Sequence, residues 1–182
     1  MAAVDYFLKI EGIDGESTDD LHKGEIEISS WSWGQSNTGA LHGGGGGAGK
    51  VQMQDFHFVM DVSQASPALF LACASGQHIK GAQLTVRKAG SEDRLEFYKV
   101  RFTDCFVSSY NAAGDTGGAT PTPSPSTTGL AAPGGGGGTG VPSESVSLNF
   151  RKIEVSYQRR LPDGTLADAA KAGWDLAANK KA

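Results

Sequence analysis

Apolar side chains recur at every second position through much of this chain, which is the spacing of a β-strand with one buried face. The opening segment is typical: Val4, Tyr6, Leu8 and Ile10 alternate with more polar neighbours. Comparable runs predict further strands, with turns at residues 89–93 and 161–164. These predicted strands are residues 25–28, 51–60, 84–86, 94–102, 102–110, 146–150, 153–157 and 173–176.

The alternation changes phase inside several of these runs. After Ile28 the next large apolar residues, Trp31 and Trp33, lie on the opposite parity. Either a bulge re-phases the strand or both faces of the strand are buried along its length. A similar change of parity after Phe150 predicts a bulge near residues 151–152.

One segment breaks the strand spacing and predicts a helix over about 66–75. Ser66 and Pro67 supply an N-cap and a first-turn proline, and Gly76 is suited to the left-handed C-terminal position. A helix this short is unstable alone, so it must pack on a sheet. Many short strands with one brief helix predict an all-β fold, either a β-barrel or two packed antiparallel sheets with a flanking helix.

Residues 112–142 form a low-complexity tract rich in proline, glycine and threonine, with Leu130 and Val141 as its only large apolar residues. Such a tract buries too little apolar surface to offset its chain entropy, so we expect a flexible insert. The residues after the tract are too few for a stable second domain, and their strands need partners from the N-terminal part. The prediction is one domain over residues 1–182, with the tract inserted in it.

Charge and composition exclude several function classes. The net charge is −4, which gives no electrostatic reason to bind nucleic acid or an anionic membrane. No apolar run is long enough to insert in a bilayer. The N-terminal segment lacks a basic region, and Asp5 interrupts its apolar run, so no signal peptide is predicted. Cys73 and Cys105 are too few for a disulfide framework and are expected to be buried thiols in a chain made in the cytosol.

Candidate chemistry is sparse. Gly44 to Lys50 fits the first seven positions of a phosphate-binding P-loop, but Val51 stands where that motif needs Ser or Thr, and a strand-like run comes next where it needs a helix. We interpret this segment as a flexible glycine loop. The four histidines and two cysteines show no metal-ligand spacing, and no serine lies in a nucleophile elbow. The sequence therefore predicts no catalytic residue, metal or cofactor.

Several segments together resemble the Hcp family, the haemolysin-coregulated tube protein of the bacterial type VI secretion system. The most specific is Trp31-Ser32-Trp33-Gly34 followed by a glycine run that ends in Gly49-Lys50-Val51. The resemblance also rests on residues 7–10, 15–17, 25–30, 51–58, 67–76, 84–90, 146–150, 155–157 and 173–174. It covers nearly all of the chain except residues 112–142 and parts of 159–172, and the length of that tract departs from the family pattern.

The resemblance implies a non-enzymatic structural subunit with a fold similar to phage tail tubes. Subunits of this family form hexameric rings that stack into a hollow tube, which carries small effectors. A contractile sheath drives the tube, tipped by a spike protein, out of the bacterial cytoplasm, which would explain export without a signal peptide.

Two groups of residues become candidate sites under this resemblance. The extended glycine loop is expected to reach the next ring, and its candidate residues are Leu41, His42, Gly43, Gly44, Gly45, Gly46 and Gly47. Ser30 and Ser32 share a strand face opposite the tryptophans and are candidates to face the tube lumen. The alternative for Ser32 is a polar sheet position with no part in cargo binding.

Two other function classes stay open at this level. A secreted effector or binding module would display the Pro/Thr-rich tract to a partner. A nucleotide-binding enzyme would rest on the Gly44–Lys50 loop alone.

Overall fold

The computed structural model describes residues 4–37, 51–88, 95–114, 141–161 and 165–182. Within these ranges the predicted strands and the single predicted helix are present. Three predictions are corrected. Residues 94–102 and 102–110 belong to one long strand, β8, and residues 146–150 and 153–157 belong to another, β9. The strand predicted over 51–60 is divided into β5 and β6, which pair in different sheets. The elements are β1 Val4–Ile10, β2 Ile26–Glu27, β3 Ser30–Ser32, β4 Gln35–Asn37, β5 Val51–Met53, β6 Phe56–Asp61, α1 Ser66–Ser75, β7 Ile79–Lys88, β8 Glu96–Ala113, β9 Ser143–Tyr157, β10 Ala170–Asp175 and β11 Lys180–Lys181.

The strands form one large antiparallel sheet, in which the described part of the chain contributes nine strands in the order β11-β10-β9-β8-β7-β1-β2, with β6 joining β9 to β3. Strand β9 is the branch point, because its first half pairs with β6 and its second half with β10. The C-terminal strands are therefore paired to strands from the N-terminal part of the chain. A separate hairpin, β4–β5, pairs Gln35 with Met53 and Asn37 with Val51.

The sheet closes on itself at residues 28–29. The Ile28 N–H donates to the Tyr6 carbonyl of β1, and the Ser29 N–H donates to the Val59 carbonyl of β6. Two successive backbone amides thus bond to two different strands, β1 and β6, and this joins the two ends of the sheet. The change of phase between Ile28 and the tryptophans occurs because the chain changes its neighbouring strand at this point. Strand β2 pairs with β1, whereas β3, which follows it, pairs with β6.

The second phase change has a different cause from the one predicted. The register of β8 with β9 is continuous from the Tyr98–Tyr157 pair to the Val107–Leu148 pair, so the bulge predicted near residues 151–152 is wrong. Opposite those residues, Asp104 of β8 adopts a left-handed conformation, with φ 54°. At this level, β8 and β9 each change which of their two faces is turned toward the core. The register shift between the two strands lies elsewhere, between Val107 and Ser109.

An aromatic cluster fills the barrel. Phe102 contacts Phe56 and Phe150, with ring centroids 4.7 and 5.0 Å apart. Trp31 extends the cluster by stacking on Tyr98, at 5.8 Å between centroids. The fully buried members of this core with the largest side chains are Phe56, Phe58, Phe102, Leu8, Met60, Leu69, Ile79, Leu84, Leu148, Val100, Val107 and Val146.

Helix α1 flanks the barrel and packs on β8. Its bounds match the prediction, but Ser66 is not the N-cap: Ala65 occupies that position, and the Ser66 hydroxyl accepts from the Ser63 N–H. Gly76 ends the helix at φ 63°, in the left-handed conformation predicted for it. In the described ranges, no helix has the length and apolar content to cross a membrane.

Most of two predicted loops lies outside the described residues. The glycine loop falls in residues 38–50, between the strands of the β4–β5 hairpin, and residues 115–140 hold most of the predicted insert. The predicted start of that insert moves, since Ala112 and Ala113 are paired in β8. The turn predicted at residues 89–93 and most of the turn predicted at residues 161–164 also fall outside the described residues.

Candidate functional site

Four adjacent strands, β3, β6, β9 and β8, present a hydroxyl-rich surface on the side away from the core. One cross-strand row runs through Ser32, His57, Ser147 and Ser109, each paired with the next. The neighbouring row runs through Ser30, Val59, Ser145 and Asn111. We name these two rows the serine face; its residues are Ser30, Ser32, His57, Val59, Ser109, Asn111, Ser145 and Ser147.

Strand alternation places these side chains. In β6 the positions beside His57, Phe56 and Phe58, are fully buried, and in β9 Val146 and Leu148 are buried beside Ser147. Because successive side chains point to opposite faces, the hydroxyl groups must point outward. The core thereby fixes the direction of the serine face.

The structure places both predicted lumen residues on this face. Ser30 and Ser32 are exposed, while Trp31 between them is half-buried and packs against the core, as does Trp33. Burial raises the pKa of Tyr98, on which Trp31 stacks, so this end of the core is partly desolvated. That Ser30 and Ser32 face a lumen stays a prediction.

His57 is bonded on both ring nitrogens. Its Nδ1 lies 3.0 Å from the Ser147 hydroxyl oxygen, and its Nε2 lies 3.0 Å from the Ser145 hydroxyl oxygen. The two serines belong to β9, so the imidazole ties β6 to β9 through side chains as well as through the backbone. Neither bond involves a carboxylate.

The charged groups lie at the ends of the serine face. Asp55, just before β6, accepts a 2.7 Å hydrogen bond from the Asn149 amide and a second from the Ser108 hydroxyl. Asp61 ends β6 and is exposed. The serine face between these two carboxylates consists of hydroxyl, amide and imidazole side chains together with the aliphatic Val59.

A second polar cluster lies on another wall of the barrel. His22, only 4% exposed, lies 2.9 Å from the Glu25 carboxylate and 3.2 Å from the Glu96 carboxylate, and it stacks on Phe7. Next to it, Arg87 is paired with Asp5 and Asp19. These bonds fix the segment between β1 and β2 onto the sheet, which is a structural role.

The described residues contain no group of three or more side chains suited to holding a metal ion. Cys105 is fully buried, and burial raises the pKa of its thiol to about 12, whereas Cys73 is half-buried. The prediction of buried thiols therefore applies to Cys105 and only in part to Cys73. Both cysteines are free.

The stacking-loop candidates, Leu41 to Gly47, and the P-loop-like segment, Gly44 to Lys50, lie outside the described residues. The segment directly after them, Val51–Met53, is a strand, β5. A P-loop is followed by a helix whose N-terminus faces the phosphates. The secondary structure after Lys50 is thus the wrong type for a nucleotide site.

Comparison with known proteins decides the family. Residues 7–157 match the profile of the family described as "Type VI secretion system effector, Hcp". The chain is also 38% identical over 182 residues to the protein hcp1 of Pseudomonas aeruginosa, with 99% of each chain covered. This chain belongs to the Hcp family.

Solved structures agree with this assignment. Hcp1 from Salmonella typhimurium is 36% identical, has a TM-score of 0.73, and is covered over 100% of both chains. A protein described as a type six secretion system protein is 27% identical, has a TM-score of 0.82, and is covered over 100% of its length and 99% of this chain. The predicted all-β fold and Hcp membership are confirmed, and the chain is a tube- or effector-related protein of type VI secretion.

Only part of the serine face was found from the sequence. The sequence predicts Ser30 and Ser32, because they flank a tryptophan in an alternating strand. His57, Ser145 and Ser147 were missed, although Ser143, Ser145 and Ser147 alternate with buried residues in β9. That alternation was a usable signal, but the pairing of β6 with β9 was needed to join the two groups.

Proposed function

We propose that this Hcp protein forms homohexameric rings that stack into a hollow tube, and that the serine face lines the lumen. The tube carries small secreted effectors, is capped by a spike protein and is surrounded by a contractile sheath. The chain leaves the bacterial cytoplasm through this apparatus. The serine face is the observation on which the lumen assignment rests.

The chemistry of the serine face suits a channel wall. Short hydroxyl side chains leave the wall smooth, and each hydroxyl both donates and accepts hydrogen bonds. Such a surface holds water and makes weak, exchangeable contacts with many cargoes. Its largest side chains, His57 and Val59, lie side by side on β6 and are half-buried.

The opposite side of the same sheet has a different character. Helix α1 packs on β8 there and exposes Phe70 and Leu71, which are 58% and 61% exposed. An apolar pair of this kind suits contact with protein rather than water. With the serine face inward, α1 lies on the outer wall, where the sheath would contact the tube.

We propose that the protein has no catalytic activity. A serine–histidine pair is present in Ser147 and His57, but a hydrolytic triad also needs an acid that orients the imidazole. Here the second ring nitrogen faces Ser145, and Asp55 is bonded to Ser108 and Asn149 instead. The arrangement bonds two strands together and leaves no activated nucleophile.

We propose that rings stack through the glycine loop, with Leu41 to Gly47 at the contact. The two strands that flank the loop in the sequence, β4 and β5, form a hairpin separate from the main sheet. A head-to-tail contact between rings repeats without closing, as a tube requires. Deletion of residues 40–46 should leave rings intact in native mass spectrometry and shorten the stacks in electron micrographs. Unchanged stacks would contradict this role.

The lumen assignment is tested by filling the channel. In Ser32→Trp, six indole rings would enter the lumen, so rings should still form but lose effectors that co-purify with the wild type. Leu71→Trp is the matched control, because it adds the same group on α1 and should keep the effectors. Native mass spectrometry reports the ring, and co-elution reports the cargo. Equal retention by both variants would contradict the assignment.

A further inference from the structure

The β4–β5 hairpin follows the β3–β6 pair with an offset of one residue. Ser32 lies opposite His57 in the first pair, and Gln35 lies opposite Met53 in the second. Two residues separate these positions between β3 and β4, whereas three residues, 54–56, separate them on the returning strand. One extra residue on one of two antiparallel strands is a β-bulge, which bends the pair and increases its twist. This bulge therefore sets the direction in which the hairpin leaves the β3–β6 pair.

Asp55 lies in the bulged segment, and both oxygens of its carboxylate are hydrogen-bonded. Its Oδ1 accepts a 2.7 Å bond from the side-chain amide of Asn149, and its Oδ2 accepts one from the hydroxyl of Ser108. Asn149 belongs to β9 and Ser108 to β8. One side chain thus ties the bulge to two strands of the main sheet.

Ser108 is itself the extra residue of a second irregularity. Leu148 and Ser147 are adjacent in β9, but their partners in β8, Val107 and Ser109, are separated by Ser108. The hydrogen bond to the carboxylate therefore joins the irregular positions of two strands. Neither bulge can move along its strand without breaking this bond. Bulges are suited to such a task, because they re-aim the strand and the side chains around them.

Other contacts at the base of the hairpin are apolar. Trp33, just before β4, and Met53, at the end of β5, are partly buried against the core. Burial of apolar surface has no directional preference, whereas a hydrogen bond requires its donor and acceptor to be aligned. The direction of the bulged strand therefore depends on the two bonds that Asp55 accepts.

We propose that Asp55 is a positioning residue for ring stacking. By holding the bulge, it sets the direction of the β4–β5 hairpin and thus the place at which the glycine loop meets the next ring. This inference rests on the proposed stacking function and adds to it a residue outside the loop. The hydrogen bonds carry the role rather than the charge, since Ser108 and Asn149 are both neutral.

The first test removes the two bonds. Asp55→Ala should still form rings, but its hairpins are no longer held in one direction, so the rings should stack poorly. A hydrogen bond to a charged group favours the bonded arrangement by at least about tenfold. We therefore expect the protein concentration at which stacks appear in electron micrographs to rise by at least about tenfold. Ser108→Ala and Asn149→Ala each remove one bond and should give smaller increases.

Two variants separate the bonds from the charge. Asp55→Asn keeps an acceptor for Asn149, and its amide group can donate to the Ser108 hydroxyl, so its stacking should stay close to that of the wild type. Asp61→Ala is the matched control, because it removes an exposed carboxylate at the other end of β6 and should stack normally. Thermal unfolding checks that each variant is folded, and native mass spectrometry checks its rings.

The direction of the hairpin is measured separately, by the distance between two spin labels. The labels are placed at Gln52→Cys in β5 and Arg101→Cys in β8, both at exposed positions, in a Cys73→Ser background. Labelled chains are diluted with unlabelled chains, so that only distances within one chain are recorded. The distance distribution should be narrow in the otherwise wild-type protein and in Asp61→Ala, and broader or shifted in Asp55→Ala.

An unchanged distance distribution in Asp55→Ala overturns the inference, and so does stacking of this variant at wild-type concentrations. Stacking lost equally in Asp61→Ala would assign the effect to charge and would overturn it as well. Deletion of residues 40–46 separates this failure from failure of the proposed function. Stacks that the deletion removes but Asp55→Ala keeps refute the role of Asp55 alone, whereas stacks that the deletion leaves unchanged refute the loop contact itself.

Discussion

The hydrogen bond between Tyr110 and Glu144 joins the two strands that flank the predicted insert, and its contribution to stability can be measured. Tyr110 lies near the end of β8 and Glu144 near the start of β9, on either side of residues 115–140. The Tyr110 hydroxyl donates a 2.6 Å hydrogen bond to Glu144 Oε1. Glu144 is only 2% exposed, and its Oε2 has no hydrogen-bond partner among the described residues.

Tyr110→Phe removes this bond and leaves a buried carboxyl group without a partner. The edge-to-face contact of the ring with Phe70, at 6.0 Å between centroids, is kept, so the loss should come from the bond. Hydrogen bonds to charged groups contribute about 1.5–3 kcal/mol. Because Tyr110 is only half-buried, we expect the lower end: the free energy of unfolding at neutral pH should fall by about 1.5 kcal/mol.

The pH dependence of this difference has a definite sign. Burial, the bond to Glu144 and the charge of that group raise the pKa of Tyr110 from its usual 10.0 to about 12. Folding therefore favours the protonated phenol, and its contribution is complete below pH 10 and is lost as the pH rises through about 12. The stability gap between the wild type and Tyr110→Phe should shrink over that window.

Urea denaturation measures these free energies, with Tyr157→Phe as the control because Tyr157 is 49% exposed. Adding Glu144→Leu to Tyr110→Phe should recover much of the loss, since it removes the unpaired buried carboxyl group. If Tyr110→Phe lowers the free energy of unfolding by less than about 0.5 kcal/mol, as the control does, the bond does not stabilise the strands that flank the insert.

Two further predictions concern the barrel. A Cβ at Gly15 would lie 2.3 Å from the Glu25 carbonyl oxygen. Gly15→Ala should therefore lower the free energy of unfolding by about 2 kcal/mol or more. Gly114→Ala is the control: its Cβ would have no atom within 4 Å, so the free energy of unfolding should change by less than about 0.5 kcal/mol. In native protein near pH 8, a thiol-alkylating reagent should modify the half-buried Cys73 at least about a hundredfold faster than the buried Cys105. Mass spectrometry of digests measures this ratio, and equal rates would contradict the burial of Cys105.

The strands were predictable because strand periodicity is a local property of the backbone. Val4 to Ile10 alternate and form β1 with the predicted bounds. The cause of each phase change was not predictable, because it depends on partners far along the chain. The change after Ile28 marks an exchange of neighbours between β1 and β6, and the change after Phe150 accompanies the left-handed Asp104 of another strand.

The candidate site was partly predictable for the same reason. Ser30 and Ser32 have a local signal, the alternation around Trp31. The contact of His57 with Ser147 joins residues 90 positions apart, and no local pattern states that β6 lies beside β9. A surface assembled from four strands becomes visible only when the register of the sheet is known.

The central claim is that the serine face lines the lumen of a stacked ring, and a cryo-electron microscopy map of the assembled tube tests it most directly. We expect density for Ser32, His57, Ser145 and Ser147 on the channel wall of every subunit, with α1 on the outer wall. A map with these side chains on the outer surface, or buried between rings, would contradict the lumen assignment.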